Sequence, residues 1–200
     1  MSKPRVSRQA ERSETTRNEL LRVARALFGE HGYEATSIED VAEAAGVTKG
    51  ALYHHFGSKR DLFQAVFEYL EQELCDNVIT AAIKGRDDVL EGMRLGIRAF
   101  LDSASDEACR RIVLIEGPSV LGWDTWREID ERYGFALVKN SLEGAMAAGV
   151  LRRKPVDPAA HLFLAALSEA ALQIARADDP DAAREEMYDA LWTLIESLRT

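Results

Sequence analysis

The sequence predicts an all-α protein in two parts: a three-helix head built around a helix-turn-helix, and a helical body behind it. Three observations carry this. Apolar residues recur at three- and four-residue steps along most of the chain, the spacing that lines one face of a helix. Capping-box patterns and glycines cut the chain into helix-length pieces. From about Asp87 onward no stretch alternates apolar and polar residues over a useful strand length.

The elements follow in order. Residues 1–13 are polar and basic and contain Pro4, which predicts a flexible arm. Thr16-x-x-Glu19 is a capping box for a first helix, with Leu20, Ala24, Leu27 and His31 on one face and Gly32 closing it. On that face His31 reads as a core or cap histidine rather than a ligand. The stretch Ser37 to Phe56, SIEDVAEAAGVTKGALYHHF, organises the rest. Ser37-x-x-Asp40, or Thr36-x-x-Glu39, starts a short helix whose Ile38, Val41, Ala42 and Ala45 share a face, and Gly46 ends it by accepting a left-handed backbone. Val47 tucks inward, Thr48 caps a second short helix, and Leu52 and Phe56 point back at the first. Thr48, Lys49, Gly50, Tyr53 and His54 remain on the outer face. Two short helices across a tight glycine turn form a helix-turn-helix, whose second helix fits the major groove of double-stranded DNA. The outer set is unusual for a merely solvated face, which normally carries Glu, Lys, Gln and Arg; Gly50 there points to close approach by something.

Ser58-x-x-Asp61 caps a long helix along Phe63, Val66, Leu70, Leu74, Val78 and Ala81. Its start places Lys59 beside free backbone N–H groups, a natural phosphate site. Its far end leaves the head, so it connects the two halves. In the body, Val89, Met93, Ile97 and Phe100 mark one helix, CRRIVLIEG a short buried one, and Trp126, Ile129, Tyr133, Leu137 and Asn140 a long one. The last two helices carry Phe163, Leu167, Ala170 and Ile174, then Met187, Leu191, Leu194 and Leu198, in the same spacing. Alanines flank the first stripe and allow close approach, so the pair is suited either to a four-helix interface with a second copy or to packing within its own chain.

Composition bounds the function. The chain has 200 residues and a net charge of −9, which is unpromising for a DNA binder until it is divided. Residues 1–25 hold seven Lys/Arg against three Glu, a net of +4, whereas residues 61–200 hold 15 basic against 26 acidic residues, a net of −11. An acidic body repels DNA and turns the basic end toward it. No apolar run reads as a membrane span, so no membrane partner is expected. Cys75 and Cys109 form no disulfide framework; reduced thiols in the cytoplasm are expected.

Markers of catalysis are missing: there is no Gly-rich phosphate loop, Cys-x-x-Cys or His-Glu-x-x-His, and adjacent His54 and His55 point to different helix faces. No metal, cofactor or catalytic residue is expected, and the protein is read as no enzyme. The segment EGPSVLGWDTW offers aromatics near acidic groups, the ingredients of a small-molecule site, although large aromatics also serve as plain core. Met93, Ile97, Phe100, Trp123, Trp126 and Tyr133 are therefore candidate pocket residues.

The run LLRVARALFGEHGYEATSIEDVAEAAGVTKGALYHHFGSKRDLFQAVF resembles the DNA-binding domain of TetR-type transcriptional regulators, over about residues 14–74. The match lies in the LF…GY…T run, AGV, G-x-x-Y-x-HF and SK-x-x-LF. The resemblance implies a head at 14–74, a ligand-binding and dimerising body at 75–200, a homodimer, and repression of a DNA operator relieved by a small-molecule effector whose identity it leaves open. It also implies that Thr36 and Lys59 touch the DNA backbone and that Thr48, Lys49, Gly50, Tyr53 and His54 face the groove. An effector is then expected to enter between the helices at 87–103 and 123–149 and displace the 59–84 helix. A protein-binding adaptor and a small helical enzyme without DNA binding stay open as alternatives.

Overall fold

A computed structural model describes residues 8–200, helical among these apart from turns and one antiparallel bridge between Leu151 and Arg199. The helices are α1 (Arg8–Ala35), α2 (Ile38–Ala44), α3 (Lys49–His55), α4 (Lys59–Lys84), α5 (Val89–Ala104), α6 (Glu107–Cys109), α7 (Gly117–Leu121), α8 (Trp123–Asp130), α9 (Ala136–Ala147), α10 (Val156–Arg176) and α11 (Pro180–Glu196). Two wider π-helical turns, Arg110–Glu116 and Glu131–Phe135, join α6 to α7 and α8 to α9.

Residues 1–7 of the expected arm lie outside the described residues, but residues 8–13 already belong to α1. Thr16 therefore does not cap a helix; it sits inside one, its hydroxyl donating to the Arg12 carbonyl at 2.9 Å. Arg, Gln, Ala and Glu before it are good helix formers, and they carry the helix past the capping pattern. The face of α1 also differs from the expected one: Phe28 is fully buried while His31 is exposed. Gly32 breaks the helix as expected, with φ 83° and ψ 169°, a region open essentially to glycine alone.

Phe28, Tyr33 and Phe63 lock α1 to α4, with ring centroids 5.3 Å apart for Phe28 and Phe63 and 5.2 Å for Tyr33 and Phe63. Leu20, Ala24, Val41, Leu52, Leu62 and Val66 complete the core of the head. Farther along α4 the buried residues change partners, and Leu70, Leu74 and Cys75 face the body. A single helix thus serves both cores.

The stripe expected to seat a second copy lies largely inside the chain. Leu167, Ala170, Ile174 and Leu191 are buried, Phe163, Met187 and Leu198 half-buried, and only Leu194 of the set is exposed. The periodicity reported correctly that a face is covered; it carried no information about what covers it. Leu162, off the stripe, is exposed at 74%, and Leu194 at 51%. By length and composition α10 is apolar enough to cross a membrane, which the sequence reading did not anticipate because its hydropathy is spread over many alanines. In this structure its buried side chains pack against the body.

Gly32→Ala is expected to destabilise the fold by about 1–3 kcal/mol through backbone strain alone. The new Cβ would also lie 2.7 Å from Glu116 Oε1, displacing a carboxylate that accepts the Tyr33 N–H. Urea unfolding measures the loss; an unchanged midpoint refutes the strain at this position.

Candidate nucleic-acid interface and ligand cavity

The reading head is assembled by local rules. Ser37 Oγ accepts from Asp40 N at 3.0 Å and Asp40 Oδ2 accepts from Ser37 N at 2.9 Å, a complete capping box. Gly46 turns the chain at φ 66°, and Thr48 Oγ1 accepts from Ala51 N at 3.2 Å to start α3. Ser58 caps α4 in the same manner, accepting from Asp61 N. Leu52 and Phe56 are buried against α2 and α1, so the orientation of α3 is fixed from beneath.

Thr48, Lys49, Gly50, Tyr53 and His54 all lie exposed on one side of α3. No side chain comes within 3.9 Å of where a Cβ on Gly50 would stand, which leaves the face open to close approach. Lys49 Nζ forms an ion pair with Glu39, which raises the lysine's pKa and lowers the carboxylate's. It also lies 5.9 Å from the Tyr53 ring. Arg17, exposed on α1, holds its guanidinium 5.3 Å from the Phe56 ring.

Two expected phosphate contacts look different in place. Thr36 is only 1% exposed, and its hydroxyl donates to the Gly32 carbonyl at 2.8 Å. It ties off the kink behind α2 and offers nothing to a phosphate. Lys59 stands at the start of α4 but is engaged, 4.3 Å over the Tyr33 ring and 3.3 Å from the Glu34 carbonyl.

The body grips the head through residues that sequence reading did not assign to this task. Glu116 Oε2 accepts the Tyr33 N–H at 2.9 Å, and Arg111 donates to the Glu30 carbonyl at 2.6 Å. Arg60, next to Lys59, donates to the carbonyls of Val120 and Leu121 at the end of α7. These partners lie 60 to 83 residues apart in sequence, so no local pattern announces them. Between them they fix the first turn of α4 and the last of α1 to the 107–121 segment.

Behind this joint lies a cavity of about 600 Å³, walled by α4, α5, α8–α9 and α10. That volume suits a small organic ligand. Of the expected pocket residues, Met93, Ile97, Phe100 and Trp126 line it. Trp123 is 65% exposed and lies outside with its ring tilted against Trp126, ring centroids 5.1 Å apart, and Tyr133 also lies off the wall. A spacing of three puts two aromatics on neighbouring but not identical faces, and here only one faces inward. Phe163 and Leu167, expected at a dimer seam, line the cavity instead.

Two carboxyls interrupt the apolar wall. Asp130 is buried, held by Arg127 at 3.1 Å; burial raises its pKa and the guanidinium opposes the rise. Glu71 is 5% exposed and has no hydrogen bond or ion pair among the described residues; burial, then the charge of Asp130, pushes its pKa up to about 8. Its place in sequence was a missed signal, since Phe67, Glu71 and Cys75 step by four along a buried face of α4. Burial likewise pushes Cys75 and Cys109 up to about 12, which makes both thiols poor nucleophiles.

Comparison with known proteins follows the same division. The model for "Bacterial regulatory proteins, tetR family" matches residues 20–66, and that for "Tetracyclin repressor-like, C-terminal domain" matches residues 90–198. A TetR-family transcriptional regulator from Pectobacterium atrosepticum is 33% identical, with 98% of each chain covered and a TM-score of 0.77. The HTH-type transcriptional regulator AcrR of Shigella flexneri is 35% identical over 51% of this chain and 47% of its own length. The Tn10 TetC protein of Escherichia coli is 34% identical over 62% of each. The chain thus spans about half to three-fifths of these two curated relatives.

The folded state holds a proton on Glu71 that an unfolded chain releases near pH 4.5, the ordinary value. Over the window from about 4.5 to about 8 the unfolded chain binds fewer protons, so this group makes stability fall as pH rises. Glu71→Gln removes that contribution. Thermal melts should show the variant matching the parent near pH 4.5 and exceeding it by several degrees near pH 8; equal melting temperatures at pH 8 contradict the buried, unpaired carboxyl.

Proposed function

Since the chain belongs to the tetR family of bacterial regulatory proteins, we propose that it is a sequence-specific DNA-binding regulator of transcription, acting in the cytoplasm as a homodimer. The observation that carries this is the outer face of α3, where Thr48, Lys49, Gly50, Tyr53 and His54 stand exposed on a helix fixed from below. Tyr53 and His54 offer hydrogen bonds and flat apolar surface to base edges, Gly50 allows the backbone close, and Lys49 exchanges Glu39 for a phosphate. An operator therefore competes with an existing ion pair, and binding weakens with salt. Lys59 is a candidate for backbone contact once it leaves the Tyr33 ring.

The exposed faces of α10 and α11 support a two-fold interface. Leu162 and Leu194 stand equally far from Asp178 on the two helices, on the side turned away from the chain's own core. Paired with its copy, such a face makes a four-helix seam. The regulator acts as a repressor released by a small-molecule effector in the cavity. α4 supports that reading, because it starts at the head and ends as a cavity wall. A coupling of about 1–3 kcal/mol changes operator affinity roughly 5–150-fold.

Tyr53→Ala is expected to lower affinity for the operator selected by the parent protein, by about 1–3 kcal/mol, while leaving affinity for random DNA nearly intact. Fluorescence anisotropy with both DNAs measures this. Equal losses on both assign Tyr53 to backbone contact instead.

Leu194→Glu changes an exposed position, so an isolated chain should tolerate it. At a seam it buries an unpaired charge at a cost of several kcal/mol. Sedimentation is expected to show monomers that still melt cooperatively and no longer hold the operator; a stable dimer moves the interface off this face.

A further inference from the structure

We infer that the cavity is built for a lipophilic organic cation, an ammonium-type ligand whose charge meets Glu71 while its apolar body fills the rest. This rests on the reading above that the cavity takes an effector.

The charge balance of the wall carries the inference. Among the described residues Glu71 on α4 and Asp130 on α8 are the acidic groups lining the cavity, and Arg86 is its one basic group. Arg86 lies past the far end of α4, about four helical turns along the chain from Glu71. Among the described residues no Lys or His lines the cavity. Arg127 approaches from behind and engages Asp130 and His161, at 3.1 and 2.8 Å. Arg127 thus holds Asp130 and, at 3.4 Å, Glu131, and Glu71 is left with no cationic partner among the described residues.

Geometry puts the spare carboxyl where a ligand head would sit. A Cβ on Gly134, in the π-helical turn, would lie 3.8 Å from Glu71 Oε2 and 3.5 Å from Asp130 Oδ1. The missing side chain keeps open a space between the two groups. π-helical turns of this kind recur at binding sites because they re-aim neighbouring residues. Aromatic walls supply the second element: Phe100, Trp126 and Phe163 line the cavity, and Trp126 stands one turn before Asp130 on α8. Ring faces attract a cation, more so away from water.

The other titratable and charged groups near Glu71 do not replace this partner. Cys75 on its own helix and Cys109 on α6 stay neutral thiols, Glu131 adds further negative charge beside Asp130, and Arg127 is spoken for. An anionic ligand would meet unscreened carboxylates in a medium where like charges repel strongly. A cation removes the unfavourable burial: Glu71 gives up its proton to solvent, and the ligand takes the proton's place.

The test uses three probes of equal chain length, octyltrimethylammonium, 1-octanol and octanoate, with the full-length protein. Binding is read by calorimetry and by tryptophan emission. The ammonium should bind at least about tenfold tighter than octanol at pH 8, with octanoate weakest. The ammonium itself does not titrate, so its affinity should rise about tenfold per pH unit up to about 8 and then level, while octanol stays flat. Glu71→Gln should lose both the preference and the pH dependence yet still bind octanol, which shows an intact cavity. An ammonium that binds no better than octanol, or a preference that survives Glu71→Gln, overturns the cation assignment and leaves the cavity reading in place. Failure of all three probes to bind the parent protein overturns both.

Discussion

The packing of Phe28, Tyr33 and Phe63 is the constraint on which the other parts depend. Three rings within 6 Å of one another join the end of α1 to the start of α4. Gly32 makes the packing possible by letting the chain turn so that Tyr33 reaches back. The body then adds polar ties to the same spot, through Glu116 to the Tyr33 N–H and Arg60 to the end of α7. Aromatic packing supplies the stability and the charged side chains supply the direction, since hydrogen bonds to ionised groups are both stronger and more orientation-sensitive.

From that joint the two halves of the molecule follow different chemistry. The head satisfies its polar groups locally, buried Thr36 included, and its caps and turn close within four residues. The body buries polar groups it does not fully satisfy, among them Glu71 and the indole N–H of Trp192, which has no partner among the described residues. Unsatisfied groups weaken a fold. Their presence on the cavity side of α4 and in α11 marks the body as the part whose sequence serves something besides stability.

The same contrast explains what was legible in the sequence. Ser37, Gly46, Thr48 and Ser58 act on residues three or four away, so pattern reading found their roles and with them the exposed face of α3. Thr36 was assigned to phosphate by resemblance, but its hydroxyl satisfies the carbonyl of Gly32 four residues back. In the body the periodicity of α10 and α11 located a covered face and left its cover open, because leucine packs on its own chain and on another copy by the same forces. Glu116, Arg111 and Arg60 were out of reach, their partners being set by the three-dimensional path. Trp123 and Trp126 divided between outside and inside for a reason the spacing does not contain: α8 starts directly after the Gly122 break, which sets its rotation about its own axis.

The length of α4 has a mechanical consequence. At 26 residues the helix is about 39 Å long, a rod with its near end clamped beside the reading face and its far end exposed to whatever fills the cavity. Rotating a rod of that length by about 5° moves one end by about 3.4 Å relative to the other, which matches the rise from one base to the next along a DNA strand. A rearrangement no larger than a side chain's reach, made at the right end, is therefore already the size of a step in the DNA register.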